Sequence, residues 1–220
     1  MKIGLLACDH VNPEYQERFG DYPLMFADLF PEFEFVVYDA INNELPTEID
    51  SCDAYMATGS RHSAYDEEVW IKNLKSFIQK LDAAEKCFVG VCFGHQIIGE
   101  ALGGKVEKSE KGWCVGVHRF EPLGFNLLMM CQDQISVLPP GAITIAGNEM
   151  CENGMIQKGN HILGIQAHPE FSKEYDQLLM ENRIARMGEE TVRMGIKSLE
   201  KTVSREEIKQ YIIQFIKKSI

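Results

Sequence analysis

The segment that most constrains the fold is GVCFG at residues 90–94, which lies between an apolar run at 87–89 and a helix-like stretch at 97–102. Glycines two residues before and two after Cys92 allow a buried strand to turn sharply into a helix. Such a nucleophile elbow exposes the cysteine at the carboxyl end of a sheet and directs a helix amino terminus at its sulfur, which favours the thiolate. The alternative is an ordinary turn with an inert buried cysteine.

A histidine and a carboxylate that could act with Cys92 follow a strand-like run at residues 162–166. His168 and Glu170 are two residues apart, and in a strand such residues face the same way. Pro169 lacks a backbone donor and indicates a strand end, where site residues gather in α/β proteins. We therefore predict that His168 accepts the thiol proton while Glu170 orients the imidazole, although an isolated histidine of this kind is more often a surface or capping residue.

The first half of the chain alternates short strands with longer helices, as in a doubly wound sheet. Strands are predicted at residues 3–7, 35–38, 54–57 and 87–91, and helices near 15–29 and over 66–84. This alternation predicts parallel strands with right-handed crossovers and a ligand site at their carboxyl ends. Both Gly59 and Cys92 fall at such ends.

The second half loses the helical periodicity between about 103 and 166. Short β-prone runs separated by proline and glycine replace it, at 115–120, 143–146 and 162–166. They predict an antiparallel or mixed extension of the sheet. Apolar residues three and four apart then predict helices over 173–187 and 205–216, which we expect to pack on the domain, although their apolar faces could serve a partner protein. The expected organisation is a single α/β domain over 1–220 with a C-terminal helical tail over about 173–220.

The net charge and the spacing of the cysteines exclude several classes of function. The chain has 22 Lys and Arg residues against 33 Asp and Glu, a net charge of −11, which argues against a nucleic-acid or anionic membrane surface. Its seven cysteines form no C-x-x-C pair, and the histidines lack companion ligands at metal-binding spacing. No apolar stretch approaches the ~20 residues that span a bilayer. We expect a cytoplasmic, reduced protein with no cofactor, no metal, and neither nucleic acid nor membrane as a partner.

Four segments together resemble the class I glutamine amidotransferases, the triad type with Cys, His and Glu. They are GVCFGHQIIGEALGG at 90–104, ATGS at 57–60, the region 111–118 and QAHPEF at 166–171. Within that family, the chain is most similar to free-standing GMP-synthase-like amidotransferases, which also carry a helical tail. The resemblance spans nearly the whole chain. It implies a flavodoxin-like doubly wound fold and a catalytic triad of Cys92, His168 and Glu170.

The resemblance also implies roles for individual residues. Cys92 would attack the side-chain amide carbon of glutamine, and His168 would protonate the leaving ammonia and then activate the water that hydrolyses the thioester. Elbow geometry offers the Phe93 N–H to the oxyanion, and the resemblance points to Gly59 for the second donor. Gln96 matches the position that contacts the substrate glutamine, one helical turn from Cys92, although it could also be a plain surface residue.

Two segments depart from the family pattern. Residues 129–133 match the segment that holds the amino-acid end of glutamine in relatives, many of which have histidine where this chain has Cys131. We expect Cys131 to be a small apolar filler, because nothing like an elbow surrounds it. The loop at 60–66 replaces a proline that often follows the oxyanion glycines, which indicates an altered acceptor. His62 in this loop could line the site or face solvent.

Three functions fit these observations. The first is hydrolysis of glutamine to supply ammonia to a separate synthetase subunit, since the chain lacks a glycine-rich phosphate loop. The second is hydrolysis or transfer of γ-glutamyl peptides by the same thioester route. The third, a non-catalytic binding or regulatory protein on this scaffold, is disfavoured by the intact Cys92, His168 and Glu170. The expected ligand is glutamine or another γ-glutamyl small molecule.

Overall fold

A seven-stranded sheet forms the centre of the computed structural model, which describes residues 1–220. Five strands run parallel, in the order β2, β1, β3, β4 and β11. Their bounds are β1 Lys2–Leu6, β2 Glu34–Tyr38, β3 Ala54–Ala57, β4 Phe88–Val91 and β11 Ile162–Ile165. β10 (Met155–Lys158) and β9 (Ala142–Ala146) continue the sheet as antiparallel strands. The predicted doubly wound, mainly parallel sheet with an antiparallel extension is confirmed.

Four further strands form two small sheets of their own. β6 (Cys114–Phe120) pairs with β7 (Phe125–Cys131), and β5 (Lys105–Lys108) pairs with β8 (Asp133–Val137). In β7, Leu127 and Met129 pack into the main core, whereas Leu128 and Met130 pack against the C-terminal helices. Because both of its faces are buried, the β6–β7 hairpin is a separate layer between the main sheet and those helices.

The helices differ from the predicted ones at three places. They are α1 Pro13–Phe19, α2 Tyr22–Leu29, α3 Val69–Ala83, α4 Phe93–Ala101, α5 Lys173–Asn182, α6 Ile184–Met187, α7 Glu189–Ser198 and α8 Arg205–Ser219. The single helix predicted near 15–29 is divided at Gly20, whose φ of 75° interrupts helical geometry. The helix predicted over 173–187 is divided at Arg183, and α7 was not predicted. None of the eight helices combines the length and apolar character needed to cross a membrane.

Side chains from alternate positions of the parallel strands form two hydrophobic clusters. Ile3, Val89 and Ile165 belong to the cluster that includes the apolar face of α8. Tyr55 and Phe88 belong to the other, which α3 and α4 cover. The apolar face of α8 therefore packs within the chain, and the sheet is held from both sides with its carboxyl edge free for a site.

Candidate active site

Cys92 lies at the sharp turn between β4 and α4. Its φ of 52° and ψ of −101° are strained for a residue with a β-carbon, and this conformation is typical of a nucleophile elbow. The Cys92 N–H donates to Ile165 O over 2.8 Å, which fixes the turn against β11. A Cβ at Gly94 would lie 2.6 Å from Ala57 O, and one at Gly90 would collide with the Gly94 carbonyl. The predicted elbow is confirmed, and its two glycines are required for close backbone approach.

Gly59, which follows β3, lies against the elbow. The Gly94 N–H donates to Thr58 O over 3.2 Å and so joins the loop after β3 to the start of α4. A Cβ at Gly59 would lie 2.9 Å from His168 Cε1 and 3.5 Å from Cys92 Cβ. The backbone N–H groups of Gly59 and Phe93 donate to no acceptor within the protein. Two free donors thus lie beside Cys92, which is the arrangement an oxyanion requires.

His168 and Glu170 are held together beyond the end of β11. The strand predicted to reach Gln166 ends at Ile165, so the same-face argument for a strand does not apply to this pair. Instead, the His168 N–H donates to Leu128 O over 2.9 Å, and the imidazole stacks on Phe171 with ring centroids 3.9 Å apart. Nδ1 of His168 lies 2.8 Å from Glu170 Oε1. The buried carboxylate therefore orients the ring from the turn that follows β11.

Electrostatics favour a charged His168. Burial alone lowers the pKa of this imidazole, but the negative charges on Cys92 and Glu170 outweigh that effect and raise the pKa to about 10. The direction of the shift corresponds to a protonated imidazolium at neutral pH, paired with the sulfur on one side and Glu170 on the other. Such an imidazolium already carries the proton that a leaving amine needs.

A cavity of about 120 Å³ opens at Cys92. Its walls come from the loop after β3, the start of α4, the β7–β8 junction and the helical tail: Ser60, Arg61, His62, Ser63, Gln96, Lys108, Trp113, Met130, Cys131, Gln132, Asp133, Arg183 and Arg186. Gln96 lies in the wall, with its Nε2 donating to Asp133 O over 2.7 Å and to Gln166 Oε1 over 3.3 Å. Its amide nitrogen thus ties α4 to the β7–β8 junction.

Hydrogen bonds within the loop after β3 position His62 and Arg61. The Arg61 backbone N–H and Nε both donate to the buried Asp9, over 2.8 and 2.9 Å, which anchors the loop to the end of β1. His62 lines the cavity, and its Nδ1 lies 2.9 Å from Glu68 Oε1. Ligand atoms of His62, Asp66 and Glu68 lie within 4.8 Å of one another. The hydrogen bonds of these three side chains to protein groups account for this cluster without an ion.

Sequence reasoning did not find the cations at the cavity mouth. Arg183 and Arg186 come from the helical tail, which the apolar periodicity assigned to packing on the domain or to contact with a partner protein. Cys131, predicted as an apolar filler, is buried in β7 opposite Cys114 and also reaches the cavity wall. Trp113 also lies in the wall. No local pattern in the sequence identifies these residues as part of the site, because the tail is brought next to Cys92 only by the tertiary structure.

Asp176 of α5 is a fully buried carboxyl group with no hydrogen-bond partner for either oxygen. Burial raises its pKa from the ordinary 3.8 to about 7, against the opposing effect of positive charge on His168 and Arg183. The folded protein therefore keeps the Asp176 proton in a pH range where the unfolded chain has lost it. Stability falls across this range as the pH rises from about 4 to about 7.

We expect Asp176→Asn to remove this pH-dependent penalty. The gain in unfolding free energy should be about 2 kcal/mol larger at pH 8 than at pH 5, because the aspartate of the wild type pays most of its ionisation cost between those values. Urea denaturation at both pH values measures the difference. Asp28→Asn, at an exposed position of α2, should change stability equally at both pH values. A pH-independent effect of Asp176→Asn would contradict the assignment.

Comparison with known proteins agrees with this architecture. A doubly wound sheet with a cysteine at a strand–elbow–helix turn defines an α/β protein of the nucleophile-elbow class. Residues 32–187 match the family model of the class-I glutamine amidotransferases, and the chain belongs to this enzyme family. The predicted resemblance is confirmed.

Three similar proteins illustrate the family. Gamma-glutamyl peptidase 5 of Arabidopsis thaliana is 31% identical over 179 residues, which cover 72% of this chain and 71% of the relative. A glutamine amidotransferase-like protein of Schizosaccharomyces pombe is 32% identical over 200 residues, covering 78% and 80%. The crystal structure of a glutamine amidotransferase from Methylobacillus flagellatus superposes with a TM-score of 0.72 at 20% identity, over 100% of this chain and 94% of that one. The last similarity concerns the fold alone.

Proposed function

We propose that the protein hydrolyses γ-glutamyl amides through a thioester on Cys92 and that γ-glutamyl peptides are its preferred substrates. The observation that carries the proposal is the grouping at the elbow, where Cys92 adjoins the buried His168–Glu170 pair and the free N–H groups of Gly59 and Phe93. The preference for peptides is supported by the similarity to a gamma-glutamyl peptidase and by a cation-lined cavity mouth.

The residues have defined roles in this proposal. The Cys92 sulfur attacks the side-chain carbonyl carbon of the γ-glutamyl group, and its oxygen takes up negative charge beside the N–H groups of Gly59 and Phe93. The C–N bond breaks as His168 gives its proton to the leaving amine. His168 then removes a proton from water, which attacks the thioester and releases glutamate and the thiolate. Glu170 accepts the hydrogen bond from Nδ1 throughout and keeps Nε2 directed at the reacting atoms.

The wall opposite the elbow suits the amino-acid end of the substrate. Asp133 is the one carboxylate in the cavity wall, and its Oδ2 accepts a hydrogen bond from Ser63 Oγ over 2.6 Å. A carboxylate held in this way can pair with the α-ammonium of a γ-glutamyl group. Gln96, whose nitrogen fixes the Asp133 backbone, positions this wall and contacts the substrate in our proposal.

A second function is favoured by the family itself. Class I amidotransferases use glutamine, and this chain would then release ammonia to a synthetase on another polypeptide. The seven cysteines are all unpaired and buried, which supports a reducing, cytoplasmic setting for either activity. We also take residues 1–220 as one domain, because the tail helices pack into the same hydrophobic clusters as the sheet and the hairpin.

Glutamate release by the purified protein distinguishes the two functions. The substrates are glutamine and a panel of γ-glutamyl dipeptides, with the Cys92→Ala protein as background. We expect kcat/KM for the best dipeptide to exceed that for glutamine by at least ~10-fold, since a peptide adds contacts on the leaving side of the scissile bond. Turnover of glutamine alone, or turnover that appears only after a synthetase is added, would overturn the peptidase assignment.

A further inference from the structure

The mouth of the cavity carries a concentration of positive charge in an otherwise acidic protein. The whole chain has a net charge of −11, yet four cations line this cavity against one carboxylate, that of Asp133. Arg61 is neutralised by Asp9, with Nε and Oδ2 2.9 Å apart. The remaining cations, Lys108, Arg183 and Arg186, form no ion pair with any carboxylate of the protein.

Two of these free cations lie together on the helical corner after α5. Arg183 and Arg186 are three residues apart, a spacing that places side chains on neighbouring positions of a helix surface. The corner is defined by the end of α5 at Asn182 and by Gly188, which ends α6 with a φ of 85°. The bend at this corner directs the tail across the mouth of the cavity, and both arginines line the cavity that opens at Cys92.

Arg186 is held in place without using its hydrogen-bond donors. Its guanidinium carbon lies 5.5 Å from the centroid of the Trp113 ring, and Trp113 lines the same cavity. A cation–π contact fixes the plane of the guanidinium but leaves its N–H groups free for a planar acceptor. Arg183 likewise donates no hydrogen bond to Asp176, although its charge acts on that carboxyl group, because neither Asp176 oxygen has a partner.

A γ-glutamyl amino acid carries two carboxylates, the α-carboxylate of the glutamyl group and the carboxylate of the leaving residue, and a carboxylate is the group that unpaired guanidinium groups bind best. Arginine binds carboxylates through two parallel N–H···O hydrogen bonds, which confer both affinity and orientation. The glutamyl end of the substrate is assigned above to Asp133 and Gln96, on the β7–β8 side of Cys92. Arg183 and Arg186 lie on the tail side of the cavity, and they are therefore available to contact the leaving amine.

We propose that Arg183 and Arg186 bind the carboxylate of the leaving amine, so that the preferred substrates are γ-glutamyl amides of amino acids with a free carboxylate. This inference rests on the proposed γ-glutamyl hydrolysis and defines its leaving group. Ammonia, as released from glutamine, would leave the arginine pair without a ligand. The pair therefore selects substrates on the side of the scissile bond that does not become glutamate.

The test compares γ-glutamylglycine with γ-glutamylglycinamide, which differ only in the charge of the leaving group. We expect the wild type to prefer the acid by at least ~10-fold in kcat/KM, as a bidentate arginine contact would provide. Arg183→Gln and Arg186→Gln should each reduce this preference, and the double variant should bring it close to one. Arg193→Gln, a matched change at an arginine that pairs with Glu190 on the surface of α7, should leave the preference intact.

Two outcomes separate this inference from the proposed function. If the wild type hydrolyses both compounds equally well, or if the double variant loses activity on both by the same factor, the arginines do not recognise the leaving carboxylate. If neither compound is hydrolysed, the proposed function fails. Calorimetric titration of the Cys92→Ala protein with both compounds then still tests the arginines, because binding needs no turnover. Equal Kd values for the acid and the amide would overturn the inference.

Discussion

Replacing Cys92 with alanine is expected to lower glutamate release from a γ-glutamyl dipeptide by at least ~10⁴-fold, to the level of the background reaction. The thioester cannot form without the sulfur, and no other cysteine occupies an elbow. The fold should persist because alanine retains the Cβ and the strained backbone of residue 92 is held by the Cys92 N–H bond to Ile165 O. Measurement of kcat with purified protein, together with a thermal melt, checks both parts.

A matched control comes from another buried cysteine. Cys52 lies in the cluster on the α3 side of the sheet and does not line the cavity. Cys52→Ala should therefore cost stability through lost packing while kcat stays within about two-fold of the wild type. Substantial turnover by a well-folded Cys92→Ala protein would sink the thioester mechanism, and an equal loss in both variants would indicate a general effect of cysteine replacement.

Replacing Gly59 with alanine is expected to lower kcat by ~10²- to 10³-fold, the range seen when one oxyanion donor is lost. The new methyl group would lie 2.9 Å from His168 Cε1, so either the imidazole or the loop after β3 must move. Movement of the ring weakens proton transfer to the leaving amine, and movement of the loop withdraws the Gly59 N–H. KM should change less than kcat, because the interaction forms mainly in the transition state.

Gly141→Ala is the control for a general loss of stability when a glycine is replaced. Gly141 has a φ of 80° in the turn before β9, and the closest atom to an added Cβ would be Lys158 Cε at 3.9 Å. This substitution should reduce stability by about 1 kcal/mol without a change in kcat. A Gly59→Ala protein with wild-type kcat would show that neither the position of His168 nor the second backbone donor depends on the glycine.

The parallel half of the fold was predictable because its signals are local. Short apolar runs that alternate with longer helical patterns place β1, β3 and β4 within a residue or two, and the two glycines around Cys92 specify the elbow. The pairing of His168 with Glu170 was expected for a strand, but the turn after β11 produces it. In both geometries residues i and i+2 can reach each other, so the pair was predicted from an incorrect premise.

The remaining elements depend on tertiary contacts that no local pattern contains. The sequence of β7 is an almost continuous apolar run because both faces of this strand are buried. Such a run lacks the alternation of apolar and polar residues that identifies a strand with one face in solvent. α7 contains Gly195, which lowers helix propensity, yet a Cβ there would lie 2.8 Å from Val115 Cγ2. The close packing of α7 against the β6–β7 hairpin therefore requires glycine at position 195, and this contact is not visible in the local sequence. Arg183 and Arg186 reach Cys92 across about ninety residues of sequence for the same reason.

The helical corner that carries Arg183 and Arg186 lies apart from the residues that would react with the substrate. The groups that would make and break the bond come from β4, the loop after β3 and the end of β11. The corner contributes Arg183 and Arg186 to the mouth of the cavity and Met187 to a hydrophobic cluster. It is short, exposed at Ile184 and Ala185, and bounded by the end of α5 and by Gly188. Because none of the reacting groups lies in the corner, substitutions of Arg183 and Arg186 are expected to change which leaving group is preferred while Cys92, His168 and Glu170 keep their positions.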